Sequence, residues 1–372
     1  MLANRPLRVL ALVTDGFSGH GGIAEYNRNF LGSLAACDGI GEVIVLPRLN
    51  ATPLDPLPFG VGQLPAVKGR IRYSLAALRT AIRRRIDVIF CGHLFMVPLA
   101  AALAKLVRAP LWVQVHGVEA WEELSVLHRR SIESAALITS VSRYTRRRLL
   151  AWVGVEPARI KVLPATVAPQ FKPGPKPEYL IERHALHRKK ALMSVSRLAS
   201  SERYKGNDRV IRALPSVLTR YPDALYLVVG DGDDRPRLEA LAAELGLTEK
   251  VRFVGLVSSE ELPDYFRVAD VFVMPSTGEG FGIVFLEAMA CGIPVIGGNK
   301  DGSLDPLADG VLGFAVDPEN NEELVSAICS ALRSARPEAS RSQRFNIQFF
   351  TEHLKALRAH GLPSTHGCKR EK

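Results

Sequence analysis

A chain of 372 residues is longer than one hydrophobic core ordinarily serves, which points to two domains. With 47% hydrophobic and 23% charged residues it is not a disordered chain, and no apolar run is long enough for a transmembrane helix. The net charge of +10 leaves nucleic acid, an anionic membrane and negatively charged substrates open as partners.

The chain opens almost at once on the apolar run Val9–Val13, without a signal-peptide cleavage pattern, so a cytoplasmic protein is expected. Cys37, Cys91, Cys291, Cys329 and Cys368 are odd in number and lack CxxC or zinc-knuckle spacing, so free thiols in a reducing compartment are expected. In the first half, strands are expected at Arg8–Thr14, Glu42–Leu46, Asp87–Cys91, Leu111–Val115, Leu137–Val141 and Lys161–Leu163. Helical spacing lies between most of them, as in Ile23, Tyr26, Asn27, Phe30, Leu31 and Leu34. This βαβα order predicts a parallel sheet with helices on both faces.

After the first strand comes the glycine cluster Gly16, Gly19, Gly21 and Gly22, just before a helix. It suits a phosphate at that helix N-terminus. Gly19 to Ala24 also fits the dinucleotide pattern GxGxxA, but Pro47 and Arg48 stand where an acid would end strand two. Further on, Lys68, Arg70, Arg72, Arg79, Arg83, Arg84 and Arg85 crowd a stretch with no acid, and Ile71, Leu75, Leu78 and Ile82 share one helical face. Two readings stay open. One is a core-packing helix with a solvated basic face. The other is an interfacial helix meeting an anionic membrane through Arg83, Arg84 and Arg85, with a lipid-linked sugar as acceptor; Arg146, Arg147 and Arg148 would add to that surface.

Five prolines between 164 and 177 (Pro164, Pro169, Pro173, Pro175 and Pro177) interrupt the alternation, and the linker is expected there. The alternation restarts with strands expected at Ala191–Val195, Leu225–Val229, Val251–Val254, Val271–Met274 and Pro294–Ile296. The boundaries read as a first domain over 1–168, a linker over 169–189, a second domain over 190–338, a C-terminal helix over 339–360 that packs back on the first domain, and a tail over 361–372. Phe345, Phe349, Phe350, Leu354 and Leu357 form the expected buried face of that helix. Such sheets bind ligands at strand carboxyl ends, and a cleft between two facing domains is the expected site.

The densest chemistry lies in Ser276–Val295, where a strand leads through glycines into a helix. A helix N-terminus offers free N–H groups and a positive dipole end to a diphosphate, and Glu279 and Glu287 can accept sugar or ribose hydroxyls. If the segment were helical throughout, these acids would stand roughly 12 Å apart along the axis. A hydrolase pair needs roughly 5–9.5 Å, a mild argument against hydrolysis. The run from Glu279 to Gly292 is similar to the Glu–seven residues–Glu signature of the retaining glycosyltransferases of family 4, which have the GT-B fold. Ser194–Leu198 and Tyr204–Gly206 resemble the segments carrying that family's arginine and lysine. Val228–Gly232 and Val251–Gly255 resemble its next two strand-and-turn signatures. In the first domain Gly21-Gly22 resembles the family's N-terminal glycine pair, Val115–Glu119 its active-site histidine segment, and Ser140–Ser142 the approach to its linker. Pro164–Ala168 departs from the Pro-Asn-Gly-Val-Asp often found there, which removes a polar contact on the acceptor side.

The resemblance implies a GT-B fold: two tandem Rossmann-like, doubly wound parallel-sheet α/β domains facing a cleft, the second binding the nucleotide sugar. It implies a retaining, metal-independent hexosyltransferase with no cofactor, using a GDP- or UDP-hexose and a glycan or lipid-linked acceptor in polysaccharide or glycolipid synthesis. Arg197 and Lys205 would neutralise the diphosphate, Glu287 would take the ribose, Glu279 the sugar hydroxyls, and His116 would sit under the hexose. Gly21, Gly22, Gly230, Gly232, Phe253, Val254, Phe281, Gly282 and Ile283 would complete the donor site. Asp231-Gly232-Asp233-Asp234 resembles the metal-binding DxD of another glycosyltransferase class, or is an ordinary turn. Other readings are an epimerase or hydrolase of the same fold, an NAD(P) oxidoreductase, and a basic RNA-binding protein. No aromatic-interleaved basic platform supports the last, so no nucleic acid is expected.

Overall fold

The computed structural model describes residues 5–18, 21–49, 56–337 and 345–361. Gly19, His20, Cys368, the start of the expected C-terminal helix at 339–344 and the tail beyond 361 lie outside the described residues. The chain forms two compact units, Met1–Thr166 with Ile347–Lys372, and Val167–Asn346.

The first unit is built on seven parallel strands: β1 Leu7–Asp15, β2 Ile40–Leu49, β3 Val61–Gln63, β4 Val88–Cys91, β5 Leu111–Val115, β6 Leu137–Ser140 and β7 Ile160–Val162. Their order is β3-β2-β1-β4-β5-β6-β7. Val9 to Val13 and all of β4 and β5 are buried, as strands covered by helices on both faces must be. The helices are α1 Gly22–Ala35, α2 Arg70–Arg83, α3 Val97–Val107, α4 Val126–Glu133 and α5 Arg143–Leu150. The expected face of α1 is buried through Tyr26, Asn27, Phe30, Leu31 and Leu34.

The second unit opens with α6 Glu178–Arg183 and carries six strands: β8 Lys190–Val195, β9 Ala224–Val229, β10 Val251–Gly255, β11 Val271–Met274, β12 Val295–Gly298 and β13 Phe314–Val316. The order is β10-β9-β8-β11-β12-β13, again parallel. Its other helices are α7 Asn207–Leu218, α8 Arg235–Glu244, α9 Leu262–Val268, α10 Ile283–Ala290 and α11 Asn321–Arg333. The last helix, α12 Ile347–Gly361, belongs to the first unit and packs on α1: the Phe350 ring meets Tyr26 edge-on at 6.0 Å, and Thr351 Oγ1 donates to Ser33 Oγ at 3.1 Å.

Four readings are revised. The stretch expected as a linker through 189 packs on the second unit: Lys176 donates to Asp270 at 2.9 Å, and Tyr179, inside α6, donates to Asp264 at 2.9 Å. Phe349 faces solvent, while Phe350, Leu354 and Leu357 are buried. The three-residue edge strands β3 and β13 escape a pattern search because neither is long enough to show a period. On α2, the side chains that meet the core are Tyr73, Ala77 and Ala81, with Leu78 half-buried, whereas Ile71, Leu75 and Ile82 point outward.

Candidate functional site

In a doubly wound sheet the crevice opens where strand order reverses. In the second unit that point lies between β8 and β11. A buried polar relay fixes the chain leaving β8. Tyr226 Oη is 2.7 Å from Ser194 Oγ and donates to Asn207 Oδ1 at 3.1 Å, and Asn207 Nδ2 donates to Ser196 Oγ at 3.0 Å. The two exits are stitched together where the Thr277 amide donates to the Tyr204 carbonyl at 2.9 Å.

This stitching brings together three residues expected from sequence. Lys205 Nζ lies 2.9 Å from Glu279 Oε2 and 3.9 Å from Glu202 Oε2, and the other oxygen of Glu202 pairs with Arg197. Lys205, Glu202 and Glu279 are only 15%, 10% and 17% exposed, whereas Arg197 is 79% exposed. Burial works against the charge on Lys205, but Glu279, Tyr204 and Glu202 outweigh it and hold the ammonium above its usual range. The cluster is thus a buried, anchored ammonium beside an exposed guanidinium, a combination that can receive a two-phosphate anion. Glu202 was missed by motif reading. Its signal was local, since it stands three residues before Lys205.

A second missed residue is Asp301, which follows β12 and is fully buried. One carboxylate oxygen accepts from the Glu279 amide at 2.7 Å and from Ser276 Oγ at 2.6 Å; the other accepts from the Ser303 amide at 2.9 Å. Burial raises its pKa, and these donors oppose the rise. The Gly302 amide also donates to the Glu279 carbonyl at 2.8 Å. Glu279 is therefore gripped at both backbone groups by a segment 22 residues away in sequence. No local pattern could have announced it.

Gly282 precedes α10 without a side-chain cap, so the helix presents its first N–H groups openly. Ile283 begins the helix, Glu287 lies buried in its second turn, and the Phe281 ring turns away to pack on Phe345 at 6.1 Å. Gly230 has φ 125°, and a β-carbon there would stand 1.9 Å from the Ser196 carbonyl oxygen, so the chain leaving β9 can lie against the β8 exit only as glycine. Gly232 makes the same close approach to Leu198. Phe253 and Val254 are half-buried in β10; Phe253 packs on the core beneath the Arg235 guanidinium and shares no described contact with Lys205 or Glu279. In the acidic turn, Asp233 accepts from the Ser200 amide and hydroxyl, and Asp234 from Arg203 and Arg237.

His116, Gly21 and Gly22 belong to the first unit. His116 leaves β5 and is buried, with Nε2 3.0 Å from the Gly92 carbonyl and its ring edge-on to Tyr26 at 5.0 Å. Its backbone amide donates to Glu119 Oε1 at 2.5 Å. Burial pushes the imidazole down to about 4, although Glu119 pulls the other way. The ring is thus neutral near pH 7. A carbonyl can only accept, so Nε2 carries the proton and Nδ1 is the ring's acceptor. Gly21 precedes α1 with φ 96°, and among the described residues a β-carbon there would meet nothing within 4 Å.

Two family models match the two units. The glycosyl transferase 4-like domain covers residues 21–166, and the glycosyl transferases group 1 model covers 179–346. A GDP-mannose-dependent alpha-(1-6)-phosphatidylinositol monomannoside mannosyltransferase of Mycobacterium tuberculosis is 30% identical over 87% of this chain and 89% of its own. The chain belongs to glycosyltransferase family 4. The protein of the same description from Mycolicibacterium smegmatis is 34% identical over 68% of the glycosyltransferase and 69% of its own length. Among solved structures, Anabaena HepE with UDP and glucose matches at a TM-score of 0.78 and 20% identity, covering 95% and 99% of the two chains. Sucrose-phosphate synthase from Thermosynechococcus elongatus matches at 0.74 and 22%, covering 95% and 98%. The fold of the glycosyltransferase is GT-B, and it moves a sugar from a nucleotide-sugar donor to a glycan or lipid acceptor.

Proposed function

We propose that this glycosyltransferase moves mannose from GDP-mannose to a lipid-linked acceptor in glycolipid assembly. In this reading it retains the anomeric configuration, needs no bound metal, and works in the cytoplasm on acceptors offered at the inner membrane face. The observation that carries the donor site is the cluster of Lys205, Arg197, Glu202 and Glu279 at the β8 and β11 exits, beside the open start of α10. The donor and acceptor classes are supported by the 30–34% identical mannosyltransferases, which are GDP-mannose-dependent and act on a phosphatidylinositol monomannoside. No helix among the described residues is long and apolar enough to cross a membrane, so the acceptor would have to be met at a surface.

In this mechanism the α10 N–H groups and Lys205 take the diphosphate, and Arg197 leaves Glu202 to close over it. Glu279, released from Lys205, accepts hydroxyls of the hexose, and Glu287 accepts those of the ribose. As the bond from the anomeric carbon to the diphosphate oxygen lengthens, charge on the leaving group grows against cations already in place. The acceptor hydroxyl attacks from that same face and passes its proton to a phosphate oxygen. Positive charge on the leaving group comes from side chains, and the carboxylates of Asp233 and Asp234 are already committed to Ser200, Arg203 and Arg237, which supports the metal-free reading.

The test is thermal shift with GDP, UDP and ADP, each with and without EDTA, followed by transfer from GDP-mannose with the product anomer read by NMR. GDP should raise the melting temperature unaffected by EDTA. Lys205→Ala should abolish that rise and lower kcat/KM by roughly 10²–10³-fold. Stabilisation by UDP alone, loss of activity in EDTA, or an inverted product would each overturn the corresponding part.

A further inference from the structure

We propose that Arg48, held over the Phe95 ring, binds a phosphate group carried by the acceptor, so that the glycosyltransferase selects anionic acceptors over neutral ones. The proposal rests on the reading of a lipid-linked acceptor and adds which of its groups is recognised and by which side chains. Its starting point is the end of β2. In dinucleotide-binding sheets that position reads the ligand: an acid there takes ribose hydroxyls, and an arginine accommodates a phosphate. Here the strand closes on Pro47, Arg48 and Leu49, with no acid among them.

Arg48 is half-buried, and its guanidinium carbon lies 4.8 Å from the centre of the Phe95 ring, in the turn that follows β4. The strand between β2 and β4 is β1, so this contact bridges the carboxyl end of the sheet. Phe95 is 43% exposed, and its ring also meets that of His93, with centroids 4.6 Å apart. His93 Nδ1 accepts from the Phe95 amide at 3.4 Å. Burial lowers the pKa of this imidazole; Glu119 opposes the shift and Arg48 adds to it. The ring is therefore neutral near pH 7, and Nε2 carries the proton. One guanidinium and one N–H donor thus stand beside the same aromatic ring. Among the described residues Arg48 has neither an ion pair nor a hydrogen bond. Glu119, the acid that acts on His93, accepts from the His116 amide at 2.5 Å.

A half-buried guanidinium that no carboxylate meets is left with uncompensated desolvation. The Phe95 ring attracts the cation and limits how it can turn, while the N–H groups stay available. Two such N–H groups side by side match two oxygens of a phosphate. A neutral polyol could take the His93 N–H but would leave Arg48 unmet. The donor diphosphate already has Lys205 and Arg197 in the second unit, so the anion that Arg48 awaits belongs to the other substrate.

The experiment measures calorimetric binding and mannose transfer from GDP-mannose with two soluble acceptors, glycerophosphoinositol monomannoside and the same mannosyl-inositol without its phosphate. Inorganic phosphate is titrated beside them. Wild type should bind the phosphodiester roughly tenfold or more tighter than either the phosphate-free acceptor or inorganic phosphate. Arg48→Gln should raise the KM for the phosphodiester roughly 10–100-fold and bring the ratio between the two acceptors close to one. Arg48→Lys keeps the charge but not the planar fork, so its loss should be intermediate. Phe95→Leu removes the ring under the cation and should weaken phosphodiester binding roughly two- to fivefold. All three variants should keep the wild-type melting temperature and its GDP-induced rise, because neither residue belongs to the donor site. An Arg48→Gln enzyme that still prefers the phosphodiester, a wild type that shows no such preference, or inorganic phosphate that binds as tightly as the phosphodiester would overturn the proposal. Arg48-dependent binding of the phosphodiester with no mannose transferred to it would overturn the acceptor reading instead and leave the anion site standing.

Discussion

The two units handle charge in opposite ways. In the second, Lys205, Glu202 and Glu279 are largely buried, each is held by a partner, and the loops between them are pressed together so closely that a β-carbon on Gly230 would collide with a carbonyl. In the first, the densest charge stands exposed along α2 with aliphatic side chains beside it, and a β-carbon on Gly21 would meet no described residue within 4 Å. In the proposed reading the difference follows the two partners. A diphosphate is small and fixed in shape, so its cations gain from being placed beforehand, and the desolvation they suffer is offset by mutual pairing. A membrane or an extended acceptor is deformable, and a surface that stays solvated until contact can adapt to it.

The sharpest way to break this comparison is to substitute one glycine in each unit. Gly230→Ala, which puts a methyl 1.9 Å from the Ser196 carbonyl oxygen, should destabilise the second unit by about 3 kcal/mol or more and lower its melting temperature. Gly21→Ala, also at positive φ but with no described residue within 4 Å of the new methyl, should cost about 1–3 kcal/mol, the conformational term alone. Equal effects in the same denaturant titration would mean that the second unit is no more tightly built than the first.

A smaller effect is expected where preorganisation acts at a distance. Asp301→Asn keeps the size of the side chain but weakens its grip on the Glu279 amide, so kcat should fall roughly tenfold with little change in KM for the donor. A rise in KM alone, with kcat unchanged, would mean that Asp301 only shapes the pocket.

The smallest effect belongs to His116. Its pKa in the folded protein lies near 4, below the 6.5 of the unfolded chain, so the unfolded state binds more protons between those values. Stability is therefore fully present above pH 6.5 and is lost as the pH falls towards 4. Between pH 7 and 6 the loss should be under about 1 kcal/mol, read as urea midpoints at each pH. His116→Gln should flatten that slope, and His93, also pushed down by burial, should supply a residual slope of the same sign. An unchanged slope would place the histidine in contact with water.

The alternation of apolar runs and helical spacing already specified two doubly wound sheets, because a strand buried on both faces and a helix buried on one leave marks within a few residues of each other. The Glu279–Glu287 run, with Arg197 and Lys205 at strand exits, likewise stood out locally. Position across long sequence separations was another matter. The hold of Asp301 on Glu279 depends on β12 lying next to β11, and the pairing of Lys205 with Glu279 spans 74 residues. The orientation of α2 was also undecided by pattern, since a stripe of Ile71, Leu75, Leu78 and Ile82 reads the same whether it faces a core or a membrane. Periodicity tells which side chains share a face, and only packing against the sheet determines which face is buried.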